Sequence, residues 1–193
     1  MLTRRTHLGH PIFRRIKNRF VSIRVQHGEE TRSVKRMAIH TDGKDIARLE
    51  VDAAGLVEGK DYLVVPFTGS VTQLAVEPGD EVIAVGSPID PALEGTQTFG
   101  RVSALRPDHE STILQHDAPI SPGNSGGPLF LKRGKKIHWI GINTAVLLSG
   151  NSLGLALSSD DAVGGDYLWV DVTPSGAAKV VTEVLGIPAT AAN

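Results

Sequence analysis

A single serine, Ser125, stands in the run Pro122-Gly123-Asn124-Ser125-Gly126-Gly127-Pro128, among residues too small to shield it. Glycine ahead of the serine frees the backbone to aim amide N–H groups at one point, and glycine after it keeps side chains out of the path of an incoming carbonyl. This is how a hydroxyl nucleophile is presented for acyl transfer. Amides pointed at the place where negative charge develops lower the barrier, and losing one such donor typically costs about 2.7–4 kcal/mol.

Gly123-Asn124-Ser125-Gly126-Gly127 also fits G-x-S-x-G, the turn that presents serine in α/β-hydrolases. That arrangement requires a helix directly after the serine, then an acid, then a histidine. Here Pro128 and the apolar Leu129-Phe130-Leu131 suit a strand, and the one later histidine, His138, precedes every later aspartate. The order left is His, Asp, Ser, with both partners upstream.

The elements that would position these groups are short strands. Val21, Ile23 and Val25 alternate with polar residues, His27 to Glu30 reads as a turn, and Val34, Met37 and Ile39 mark a second strand ending at Asp42-Gly43. Ile46 to Val51, Tyr62 to Phe67, Glu81 to Val85, Gln97 to Leu105, Thr112 to Gln115, Leu129 to Lys132, Ile137 to Leu147 and Gly154 to Leu157 continue the series. Strands recurring every ~8–12 residues with Gly and Pro between them indicate an all-β barrel or sandwich. Only the end differs: Ser175 as N-cap, Ala177 to Leu185, and Gly186 with Pro188 as a stop predict a closing helix.

Composition narrows the function classes. The 193 residues are 40% hydrophobic and 21% charged, with a net charge of -1 that gives no reason to expect a nucleic-acid partner. No apolar run approaches the roughly 20 residues of a membrane span. Arg4, Arg5, Arg14, Arg15, Lys17, Arg19 and Arg24 make the start basic and acid-free, which reads as a solvated segment, a transit segment or a contact for an anionic surface. There is no cysteine, and no apolar leader is visible; together these point to the cytoplasm. His109, beside Asp108 and Glu110, lacks a third ligand at metal-binding spacing, and no metal or cofactor is expected.

Four collinear segments resemble the trypsin-like serine proteases of the HtrA/Deg type: Gly79 to Pro88, Phe99 to Leu105, Ile113 to Leu129 around the serine, and Ile140 to Leu147. The resemblance implies two six-stranded antiparallel β-barrels, the first incomplete at its N-terminus, with the active site between them. Residues 1–70 would form the first lobe, 71–173 the second, and 174–193 the helix and tail, with no appended recognition (PDZ) domain. It also implies that Asp45, entering Ile46 to Val51, is the triad acid and Ser125 the nucleophile, with the oxyanion held by the N–H groups of Gly123 and Ser125. The base falls to His7, with His10 as the next candidate; without a base, the fold would bind extended peptides or a partner and not cut them.

Pro119 and Ile120 before the serine, and Ile142, Asn143, Thr144 and Ala145 after it, would line the substrate pocket. They offer no charge, so small or medium apolar P1 side chains are expected, on a polypeptide paired with the Asn143 to Ala145 backbone. His138 alternates with apolar neighbours and reads as structural.

Overall fold

The computed structural model describes residues 24–27, 30–59, 64, 66–88, 93, 95–108, 111–149 and 151–172. His7, His10, His109, the basic N-terminal run apart from Arg24, and the expected helix from Ala177 to Leu185 lie outside the described residues. The chain divides into two units, one comprising residues 1–62 and 165–193 and the other residues 63–164.

In the first unit, β1 (Arg24–His27) and β2 (Glu30–His40) form an antiparallel hairpin. β2 also pairs with β3 (Ala47–Val51) and with β10 (Tyr167–Asp171), which arrives from the far end of the chain. Ile39 and Val170 are buried together, with Met37 and Leu168 packed against them. Of the two six-stranded barrels expected from the resemblance, the described residues show one; those of this unit form a four-stranded sheet around β2. No described strand links β1, β3 and β10 into a ring; β2 alone pairs with all three.

The second unit is a closed antiparallel barrel. β4 (Glu81–Gly86), β5 (Thr96–Asp108), β6 (Ser111–His116), β7 (Pro128–Arg133), β8 (Lys136–Ser149) and β9 (Asn151–Ser158) join in the circular order β4-β5-β6-β9-β8-β7. A short helix, α1 (Ser159–Val163), follows β9, and the Ser158 side chain caps it by accepting from the Asp160 N–H. Val64, Pro66 and Phe67, part of a predicted strand, are irregular here. With Pro66 unable to donate a ladder hydrogen bond, that segment gives up strand pairing.

Alternation explains the closure. Val82 and Ala84 of β4, Val102 of β5, Leu114 of β6, Leu129 and Leu131 of β7, Ile140 of β8 and Ala156 of β9 all turn inward and are buried. A barrel this narrow is filled by its own side chains, so the interior is a core and not a channel. Register shifts between Val102 and Ala104, Leu129 and Phe130, and Asn143 and Ala145 are bulges that help such a small sheet curl.

Leu131 is fully buried, while Ile137 at the start of β8 is 55% exposed. Leu131→Ala should therefore lower stability by about 2–5 kcal/mol through lost burial and a residual cavity, against about 0.5 kcal/mol or less for Ile137→Ala. Urea denaturation followed by circular dichroism checks the contrast.

Candidate active site

The loop from β6 to β7 carries Ser125. Two successive turns shape it: the Asn124 N–H donates to Ser121 O at 3.0 Å, and the Gly127 N–H donates to Asn124 O at 2.9 Å. Gly123 and Gly126 supply the left-handed backbone these turns need, with φ of 103° and 88°. Asn124 is driven inward to 1% exposure, against Gly86, where a Cβ would lie 2.9 Å from Asn124 Cγ. Burying Asn124 leaves the Ser125 side chain exposed on the opposite side of the turn.

Strand β8 holds the loop from beneath. The Gly126 N–H donates to Asn143 O at 2.7 Å, and the Asn143 N–H donates back to Gly127 O at 2.8 Å. The bulge next to Asn143 sets Thr144 between paired positions of the β8–β9 ladder, and the Thr144 carbonyl accepts the Ser125 hydroxyl at 3.1 Å. The amides of Asn124, Gly126 and Gly127 all have backbone acceptors. Those of Gly123 and Ser125 have none among the described residues. Two donors of the serine loop are thus left for another acceptor.

Pro119 and Ala145 are exposed, while Ile120, Ile142 and Thr144 are partly buried. Asn143 is 1% exposed, and both its main-chain groups are engaged with the loop, so its backbone is not open to the strand addition expected along Asn143 to Ala145. Asp45 belongs to the first unit, exposed and directly before the buried Ile46. His7 lies outside the described residues. Within the second unit neither His116 nor His138 hydrogen-bonds Ser125; His138 Nδ1 pairs with the Thr68 hydroxyl at 2.8 Å.

Sequence reasoning passed over His116, which is fully buried at the end of β6. Its Nε2 lies 3.1 Å from Asn143 Oδ1. Burial pushes its pKa down, and this outweighs the hydrogen bond to Asn143, the nearby Ala118 backbone and the Asp117 carboxylate, all of which favour the proton. The available signal was Gly154, a glycine inside a strand, which marks a close approach. A Cβ there would lie 2.3 Å from His116 Cε1.

A sequence profile of the trypsin-like peptidase domain matches residues 9–142, a span that includes Asp45 and Ser125 and starts two residues after His7. The chain is 36% identical over 153 residues to "Protease Do-like 1, chloroplastic" of Arabidopsis thaliana, covering 74% of this chain and 32% of that protein. It is 33% identical over 160 residues to "Probable periplasmic serine endoprotease DegP-like" of Rhizobium meliloti, covering 74% and 29%. The chain thus spans about a third of the length of these curated relatives. Among solved structures, the inactive form of Rv3671c protease superposes with a TM-score of 0.53 at 19% identity, covering 74% of this chain and 70% of that one, a likeness of fold.

These relatives overturn the cytoplasmic placement expected from composition, since they are named for the periplasm and the chloroplast. A chain without cysteine has no thiol for either redox environment to act on, so its composition carries no compartment. Among the described residues no helix is long and apolar enough to cross a membrane.

The two glycines after Ser125 should tolerate substitution differently. A Cβ on Gly126 meets open space and pays only for its positive φ, whereas one on Gly127 would lie 2.1 Å from the Val85 carbonyl oxygen. Gly126→Ala should cost about 1–2 kcal/mol, and Gly127→Ala should exceed it by forcing β4 and the loop apart. Paired urea titrations measure the difference.

Proposed function

The chain belongs to the trypsin-like peptidase domain family, with relatives of the HtrA/Deg type, and on that premise we propose that it is a serine endopeptidase. Ser125 is the nucleophile, His7 the base and Asp45 the carboxylate that orients it. The observation carrying this reading is the pair of amides without acceptors, Gly123 and Ser125, flanking an exposed serine hydroxyl.

Chemistry follows from the groups. The hydroxyl has one proton, now donated to Thr144 O, so attack begins when that hydrogen bond is exchanged for one to the His7 imidazole. Histidine takes the proton because its ordinary pKa lies near neutrality. The alkoxide oxygen adds to the peptide carbonyl, and the oxyanion is held by the two amides. Collapse expels the amine, which receives the proton from the imidazolium, and water then hydrolyses the acyl-enzyme by the same steps. Asp45 fixes the imidazole tautomer and stabilises its charged form.

Pro119, Ile120, Ile142, Asn143, Thr144 and Ala145 bring no charge to the pocket, which supports small or medium apolar P1 residues. The polypeptide lies extended beside Thr144 and Ala145, past the end of the β7–β8 ladder at Ile142.

A fluorophosphonate probe read by intact mass tests the assignment. One adduct per chain is expected on the parent and none on Ser125→Ala. His7→Ala and Asp45→Ala should slow labelling by about 100- to 10,000-fold. A folded parent that takes no adduct, or a Ser125→Ala variant that takes one, would overturn the reading.

A further inference from the structure

Asn143 does two things at once. Its main chain clamps Gly126 and Gly127, the residues directly after the nucleophile, and its side chain is buried beneath them. There Nδ2 donates to Pro128 O at 3.4 Å, which orients the amide so that Oδ1 faces His116 Nε2 at 3.1 Å. An amide oxygen only accepts, so the imidazole must carry its proton on Nε2. Nδ1 makes no hydrogen bond of ordinary geometry, although the Ala118 backbone is near enough to favour a proton there, less than burial opposes it.

This contact sits beside a bulge: the β8–β9 ladder pairs Asn143 with Ala156 and breaks register between Asn143 and Ala145. Ring and strand are matched in shape: an ideal Cβ on Gly154 would fall 2.3, 2.5 and 2.9 Å from Cε1, Nε2 and Nδ1, so the imidazole lies across the bare backbone of β9. His116 itself is paired in register with Val102 of β5 and Gly154 of β9.

We propose that His116 is a positioning residue for Ser125: its Nε2–H holds the Asn143 side chain, and the Asn143 main chain in turn keeps Gly126 and Gly127, and with them the nucleophile, in place. This role rests on the endopeptidase reading only for its effect on rate; the latch itself is a property of the loop.

The latch is made by Nε2–H, which the ring carries whether neutral or charged; burial is what keeps it neutral. Protonating Nδ1 would put a cation inside the barrel end, against Val102, Asn143 and Gly154, none of which titrates. The adjacent Asp117 carboxylate, which also accepts from the Arg101 N–H at 2.5 Å, opposes this only in part. The folded ring has a pKa below 6.5, so the folded state binds fewer protons than the unfolded one. Stability from this site is therefore complete above about pH 6.5 and falls as the pH drops below it.

Two variants and one wild-type measurement test the proposal. His116→Leu removes the donor and leaves Asn143 Oδ1 buried without a partner, so exchange of the Gly126 amide should accelerate at least about tenfold, with fluorophosphonate labelling of Ser125 slowed by a similar factor. His116→Gln restores a donor that does not titrate, and should recover both. Gly154→Ala, which displaces the ring without touching it chemically, should reproduce the leucine variant. In the wild type, nitrogen NMR should find the ring protonated on Nε2 and still predominantly neutral at pH 6.5, where a free imidazole is half charged. A ring protonated on Nδ1, or unchanged Gly126 exchange in both His116→Leu and Gly154→Ala, would overturn the latch. If the parent never labels, the endopeptidase reading falls, and Gly126 exchange still decides the latch.

Discussion

Two backbone hydrogen bonds between Asn143 and the glycines after Ser125 are the constraint from which the rest of the site follows. They tie the loop to β8, whose ladder with β9 is interrupted directly after Asn143. Because the bonds run in both directions, Gly126 N–H to Asn143 O and Asn143 N–H to Gly127 O, they fix orientation as well as distance. The serine can then be exposed without being loose. Asn124 is buried against Gly86, Ser125 is exposed, and the amides of Gly123 and Ser125 have no acceptor among the described residues.

The barrel gives that loop a rigid base. Each of its six strands has a neighbour on both sides over at least part of its length, so the barrel closes on itself. Inward residues are small or medium aliphatics, from Ala84 and Ala156 to Leu114, Leu129 and Leu131, graded to fill a narrow interior. A catalytic loop placed across such a structure inherits its stiffness, which is what positioning to fractions of an ångström requires.

Much of this was legible in the sequence. The strands β4 to β9 were readable because alternating apolar residues between glycine and proline punctuation leave few other solutions. The serine loop announced itself through its glycines. What could not be read was non-local. β10 is a five-residue strand, Tyr167–Asp171, whose pairing with β2 depends on residues more than a hundred positions away. A barrel in the first unit was expected from resemblance and not from the residues, and the described part of that unit is a four-stranded sheet. His116 and Asn143 each looked ordinary alone; their meaning comes from facing each other across two strands, which no periodicity encodes.

The fit of the His116 ring over Gly154 carries a consequence for how this sequence can change. A methyl group at 154 and an imidazole at 116 cannot share the same space, so neither position drifts independently. A chain that gains a side chain at 154 must first have lost the ring at 116, and one that acquires the ring must already have a bare backbone opposite. Neutral variation at these two sites is therefore ordered in time: the ring leaves before a side chain arrives at 154, and glycine is in place before the ring arrives at 116.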